Sequence, residues 1–157
     1  MFKKVLYQRD FMKTFSMTIF AALLSTAAFA EDISGTWRYI DDKTGEAKGL
    51  VKIEKQSNGT YAGTALKSTP RPGYTPKEFC TNCPAPYTNK PIIGMQVISG
   101  LKTTDQVNYT DGKIIDPVSG KIYRLKGKVS SNGKKLFLRG YLGISAIGRN
   151  QTWLRVE

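Results

Sequence analysis

The sequence predicts an all-β protein: a small closed antiparallel barrel of about eight strands, preceded by a signal peptide. Three observations carry this. From Ile33 onward, short stretches of apolar/polar alternation recur at a spacing of roughly 8–12 residues. Glycine-bearing turn signals, among them Asn58-Gly59 and Asp111-Gly112, separate the stretches. No segment after the first thirty residues carries the apolar period of a helix.

Of the 157 residues, the first thirty stand apart. Lys3, Lys4, Arg9 and Lys13 form a basic leader, and residues 15–29 are an apolar run. That run is too short for a spanning helix, which needs about 20 residues. Ala28-Phe29-Ala30 matches an A-x-A cleavage site, so the mature chain is expected to begin at Glu31. Met12 offers a second possible start. No cysteine sits at the cleavage site, so a lipid-anchored mature chain is not expected. The expected organisation is a signal peptide over residues 1–30 and one β-barrel domain over 31–157. The expected location is the periplasm or the secreted fraction, with no transmembrane segment in the mature chain.

Four of the 24 basic residues and one of the 12 acidic ones fall in the leader, which leaves the mature chain at +9. Such a charge draws a protein towards acidic ligands, anionic headgroups or polyanions, or serves only to keep it soluble. The cations alternate with apolar residues and form no block, so nucleic acid is not an expected partner.

Taken in order, Trp37 and Tyr39 share one face of the first strand, and Thr36 and Arg38 the other. Residues 41–45 form a turn ending in Gly45. Val51 and Ile53 alternate with Lys52 and Glu54. Asn58-Gly59 then predicts a type I′ hairpin into a strand over residues 60–66. Residues 68–91 hold six of the seven prolines and both cysteines, a composition that a sheet ladder excludes and a long loop accepts. Alternation resumes over residues 96–101, 107–110, 113–116 and 121–129, with tight turns at Asp111-Gly112 and Asp116-Pro117. Asn132-Gly133 leads into the last hairpin, residues 136–155. There Trp153 and Arg155 stand ready to answer Trp37, with the guanidinium over an indole and the first strand pinned to the last. The bland alternative is that both tryptophans are ordinary core and Arg155 is exposed.

Few catalytic groups are on offer. The chain has no histidine, which removes Ser-His and Cys-His chemistry and the commonest general base. Residues 143–148 miss the spacing of a nucleophile elbow by one residue. Asp111 and Asp116 occupy ordinary turn positions. Cys80 and Cys83, in an exported chain, are expected to form a disulfide that fixes the proline-rich loop rather than a redox pair. Two cysteines without histidine do not make a zinc site. No cofactor, metal or catalytic residue is therefore expected. Three Asn-x-Thr matches are set aside as chance, because the leader looks bacterial.

The candidate ligand-binding residues are Trp37, Tyr123, Arg139, Tyr141, Arg149, Gln151, Trp153 and Arg155. Arg139 and Tyr141 share one strand face, as do Arg149, Gln151, Trp153 and Arg155. On the inside, that mixture of aromatic and polar groups would suit a small-ligand pocket. On the outside it would be a solvated sheet. Parity alone leaves both possibilities open, because a bulge at Gly140, Gly143 or Gly148 shifts the register.

Six motifs in order extend over nearly the whole mature chain: Gly35-x-Trp37; Cys80-x-x-Cys83 followed by Lys90-Pro91-Ile92; Gly112-x-Ile114-Ile115-Asp116-Pro117; Gly120-Lys121-x-Tyr123; Arg139-Gly140-Tyr141; and Gly148-Arg149-x-Gln151-x-Trp153-x-Arg155. In these the chain resembles bacterial domain-of-unknown-function family 2147. The resemblance implies an exported, lipocalin-like β-barrel, and no established activity comes with it.

The expected function is non-enzymatic binding of a small apolar, amphipathic or anionic ligand, with association to an envelope or lipid surface as a possible partner. One alternative is a histidine-free enzyme using Asp116, Lys121, Tyr123 and Arg139. The other is a structural envelope protein acting through the proline-rich loop.

Overall fold

A computed structural model describes residues 32–157. The signal segment expected over residues 1–30 lies outside them. Eight strands follow one another: β1 Gly35–Ile40, β2 Ala47–Lys55, β3 Tyr61–Ser68, β4 Gln96–Leu101, β5 Asn108–Ile115, β6 Ile122–Val129, β7 Lys135–Tyr141 and β8 Gly148–Arg155. Each pairs antiparallel with its neighbour, and β8 returns to β1, so the sheet closes into an eight-stranded barrel. Closure removes both free edges. The seam is short, made by Trp37 opposite Arg155, Arg38 opposite Leu154 and Tyr39 opposite Trp153.

Two turns differ from the sequence expectation. Gly59 takes positive φ (81°) while Asn58 does not. The hairpin is therefore a wider turn, with Gly59 N donating to Gln56 O and Gln56 N to Thr60 O, rather than type I′. Asp111-Gly112 is not a turn at all. Asp111 sits at φ 61° inside β5, where the register against β6 shifts between Tyr109 and Gly112. The two short strands expected there are one bulged strand. An aspartate tolerates the left-handed region, and a bulge uses that conformation without reversing the chain.

The barrel has a closed end and an open end. At the closed end, residues 32–34 cross the bottom beneath a cluster of fully buried side chains: Ile33, Trp37, Tyr61, Tyr109, Leu101 and Leu136. At the other end lie the β1–β2 turn, the proline-rich β3–β4 connection, the β5–β6 turn and the β7–β8 loop. Cys80 and Cys83, with Cα atoms 5.4 Å apart at disulfide-bonding distance, join the buried core together with Ile92 and Met95. The connection is held to the β5–β6 turn: Lys77 Nζ donates to Val118 O at 3.3 Å. A Cβ on Gly120, whose φ is 75°, would run into the Asn82 carbonyl. The inside is apolar and the outer strand faces carry lysine and arginine, the reverse of a transmembrane barrel.

Candidate functional site

Residues directly opposite each other in an antiparallel pair share a face. This settles the last hairpin. Leu136 opposes Trp153, Leu138 opposes Gln151 and Gly140 opposes Arg149. Leu136 and Trp153 are buried, so Gln151, Gly140 and Arg149 belong to the inward side. Arg139 opposes Asn150, and Tyr141 opposes Gly148, on the outward side.

The eight residues picked from the sequence therefore divide into three groups. Trp37, Trp153 and Arg155 build the closed end and the seam. The Arg155 guanidinium carbon lies 4.3 Å from the centre of the Trp37 ring. Its nitrogens donate to Ser34 O and Asp32 O, both at 2.6 Å, and to Gly133 O at 2.7 Å. Trp37 Nε1 donates to Ile33 O at 2.9 Å. Tyr123, Arg149 and Gln151 line the upper interior. Arg139 and Tyr141 stand on the outer wall, apart from the other six. The set Asp116, Lys121, Tyr123 and Arg139 does not make one pocket. Arg139 and Tyr123 face opposite sides of the sheet, and the Asp116 carboxylate is taken up inside its own turn by Val118 N and the Ser119 hydroxyl.

The interior changes character with height. Lower down, inward glycines exist to admit large neighbours. A Cβ on Gly112 would lie 2.6 Å from Leu101, and one on Gly127 would lie 2.7 Å from Leu138. At the upper end a Cβ on Gly140 would meet nothing closer than Tyr123 Cβ at 3.6 Å. Around Gly140 at this end stand Tyr39, Ile114, Tyr123, Arg149 and Gln151. Tyr39 packs on Trp153 with ring centres 5.8 Å apart, and Trp153 Nε1 donates to Gln151 Oε1 at 3.1 Å. Burial raises the Tyr39 hydroxyl above the usual tyrosine range and outweighs the opposing pull of Ser68 and Arg71. This end thus sets the partly buried Tyr39 ring over the buried Trp153, with one arginine and one amide beside them.

Tyr39, Ile114 and Gly140 were not among the sequence candidates. Tyr39 had left a signal, since it shares the face of Trp37. Gly140 left none, because a glycine that admits space looks in sequence like one that admits a neighbour.

The outer wall carries a shallow groove of about 550 Å³, lined by Lys126, Lys128, Phe137, Arg139, Asn150 and Thr152 among others. Arg139 is fixed in it: Nε donates to Ser145 O at 2.6 Å, and the two terminal nitrogens donate to Asn150 Oδ1 at 2.7 Å and Ala146 O at 2.9 Å. Among the described residues, no three carboxylate, cysteine or histidine side chains gather as a metal-ligand set.

With this geometry in place, comparison with known proteins identifies the family. The model of "Uncharacterized protein conserved in bacteria (DUF2147)" matches residues 35–155. The chain belongs to that family. The match spans the barrel from the first residue of β1 to the last of β8. Among solved structures, the chain is similar to a Helicobacter pylori protein described as belonging to the lipocalin family. The TM-score is 0.66 and the identity 21%, over 80% of this chain and 84% of that one. The shared feature is the fold. No curated protein matches the sequence.

Proposed function

We propose that the protein is a non-enzymatic, exported binder of a small amphipathic ligand, held in the open end of the barrel. An eight-stranded barrel is just wide enough to be filled by side chains or to hold one small ligand, as lipocalins do. The observation that carries the reading is the change along the inward face. Below Trp153 a Cβ on Gly63, Gly112 or Gly127 would press into Ile98, Leu101 or Leu138, whereas one on Gly140 above it would sit at ordinary contact distance. The aromatic floor of Tyr39 and Trp153 suits an apolar tail, and Arg149 at the rim suits an anionic or polar head. The leader over residues 1–30 supports a periplasmic location.

Native mass spectrometry of protein taken directly from periplasm tests this. A bound lipid-sized mass is expected in the native chain. Gly140→Leu, which places a side chain in the opening, is expected to lower its occupancy about tenfold or more, with thermal stability retained. An empty barrel, or occupancy that Gly140→Leu leaves untouched, would overturn the proposal.

A further inference from the structure

The β7–β8 loop presents three large aliphatic side chains to solvent: Leu142 (54% exposed), Ile144 (65%) and Ile147 (74%). They are the most exposed large apolar residues among the described ones, and they fall within six residues of one another. Such concentration is unlike the scattered single exposures normal on a soluble surface. The loop is not left to collapse. Arg139 reaches from the outer wall and holds the carbonyls of Ser145 and Ala146, which keeps the loop against the outside of β7 with its aliphatic side chains outward.

The wall beside it is cationic in a way that folding alone does not explain. Lys113 stands directly opposite Arg124, and Lys126 directly opposite Arg139. Like charges in those positions destabilise a sheet. Arg124 and Lys126 both lie within 6 Å of the outward Tyr141 ring, at 5.6 Å and 5.9 Å. Among the described residues both ion pairs are elsewhere: Lys48 with Asp41, and Lys52 with Glu54. Of the acids near these cations in sequence, Asp116 is engaged by Val118 N and the Ser119 hydroxyl in the β5–β6 turn, Asp111 sits at the β5 bulge, and Asp105 lies in the β4–β5 connection. The Asp105 carboxylate is already engaged by Val107 N, Asn108 N and Asn108 Nδ2.

We infer that the β7–β8 loop and the β5–β7 wall form one docking surface for an anionic lipid bilayer. The aliphatic tip enters the acyl boundary, and Arg124, Lys126 and the neighbouring cations meet the phosphate headgroups. A soluble polyanion would use the wall and leave the tip idle. A neutral apolar partner would use the tip and leave the repelling cations unexplained. A bilayer surface uses both, since apolar burial and attraction to anionic lipid act together at an interface. The docked edge adjoins the open end of the barrel, but this proposal holds whether or not the barrel carries a ligand.

Vesicle flotation of the purified protein decides the matter. Vesicles of phosphatidylglycerol with phosphatidylethanolamine are expected to bind it, and vesicles of phosphatidylcholine alone are not. Ile144→Ser with Ile147→Ser is expected to weaken binding about tenfold or more. Arg124→Glu with Lys126→Glu should weaken it at least as much, from about fivefold per cation removed near the surface. Lys52→Glu with Lys55→Glu, the same charge change on β2, is expected to weaken it far less. Ile144→Trp should show a blue-shifted emission only with the anionic vesicles. The substituted loop residues are exposed, and near-ultraviolet circular dichroism checks that each variant is folded. Equal binding to both vesicle types would overturn the inference, as would indifference to the loop substitutions. So would equal losses from the β2 control, which would reduce the effect to net charge. Tighter binding to soluble heparin than to the vesicles would replace the bilayer with a polyanion.

Discussion

The closed end and the open end of the barrel are made from similar residue types, aromatic rings with arginines and tyrosines, put to opposite use. At the closed end Arg155 stacks on Trp37 and spends its nitrogens on three backbone carbonyls. Tyr61 donates to Asp32 Oδ2 at 3.0 Å, and Tyr109 accepts from Ile33 N at 3.3 Å. Among the described residues no buried side-chain nitrogen or oxygen lacks a hydrogen-bond partner. At the open end Arg149 is exposed, Tyr39 and Tyr123 are only partly buried, and Gly140 would accept a methyl group at ordinary contact distance. A polar group that is buried must be paired by the protein itself. One left at a rim stays available to something else. The difference separates residues that hold the barrel from residues that can receive a ligand.

The largest expected break in this contrast is Arg155→Ala. Hydrogen bonds to a charged group contribute about 1.5–3 kcal/mol each, and buried carbonyls stripped of a partner add a penalty. A loss of at least about 3 kcal/mol in urea unfolding is expected. Arg155→Lys should recover less than half of it, since an ammonium cannot stack and fork at once. A loss below about 1 kcal/mol would mean that the seam does not depend on this residue.

A smaller effect compares the two levels of the interior with one chemical change. Gly112→Ala drives a Cβ against Leu101, whereas Gly140→Ala meets Tyr123 at ordinary contact distance. The first is expected to cost about 1–3 kcal/mol by overpacking, the second less than about 0.5 kcal/mol. Parallel chemical denaturation checks both, and equal costs would erase the proposed boundary between filled and open interior.

The smallest concerns pH. Burial, reinforced by the hydrogen bond to Asp32, raises the Tyr61 hydroxyl above its ordinary value. Tyr39 and Tyr109 are raised as well, again chiefly by burial. A phenol that holds its proton more tightly when folded contributes stability fully present below its unfolded pKa of about 10. That stability is lost as the pH climbs through the folded value. Unfolding free energy should therefore fall above pH of about 10. Tyr61→Phe should cost about 1 kcal/mol at neutral pH and make the alkaline fall shallower. An alkaline limb unchanged by the substitution would remove Tyr61 from the account.

Much of the architecture was legible because period-2 alternation and turn glycines are local features. The hairpins at residues 41–46, 116–121 and 130–134 fall where Gly45, Gly120 and Gly133 predict them. The errors are local too. Asn58-Gly59 closes a wider turn, and Asp111-Gly112 is a bulge, because the same residues serve any left-handed position. The candidate site was harder. Leu136, Phe137 and Leu138 are apolar in succession, so the strand before Arg139 shows no alternation to mark its inner face.

By itself the sequence determined the number of strands to within one, the proline-rich interruption between β3 and β4, the cysteine pairing partner and the family, and it left the Trp37–Arg155 encounter as one of two readings. Each depends on residue type at short range or on a motif read in order. Only the closed barrel decided that Arg149 and Gln151 look inward while Arg139 and Tyr141 look outward. It also decided that Gly140 has room for a Cβ where Gly112 has none, and that Lys126 stands opposite Arg139 on the neighbouring strand. Alternation says which residues share a side. Which side is inside follows from long-range pairing: β8 must place Trp153 opposite both Tyr39 and Leu136, and every other residue of the hairpin takes its face from that requirement.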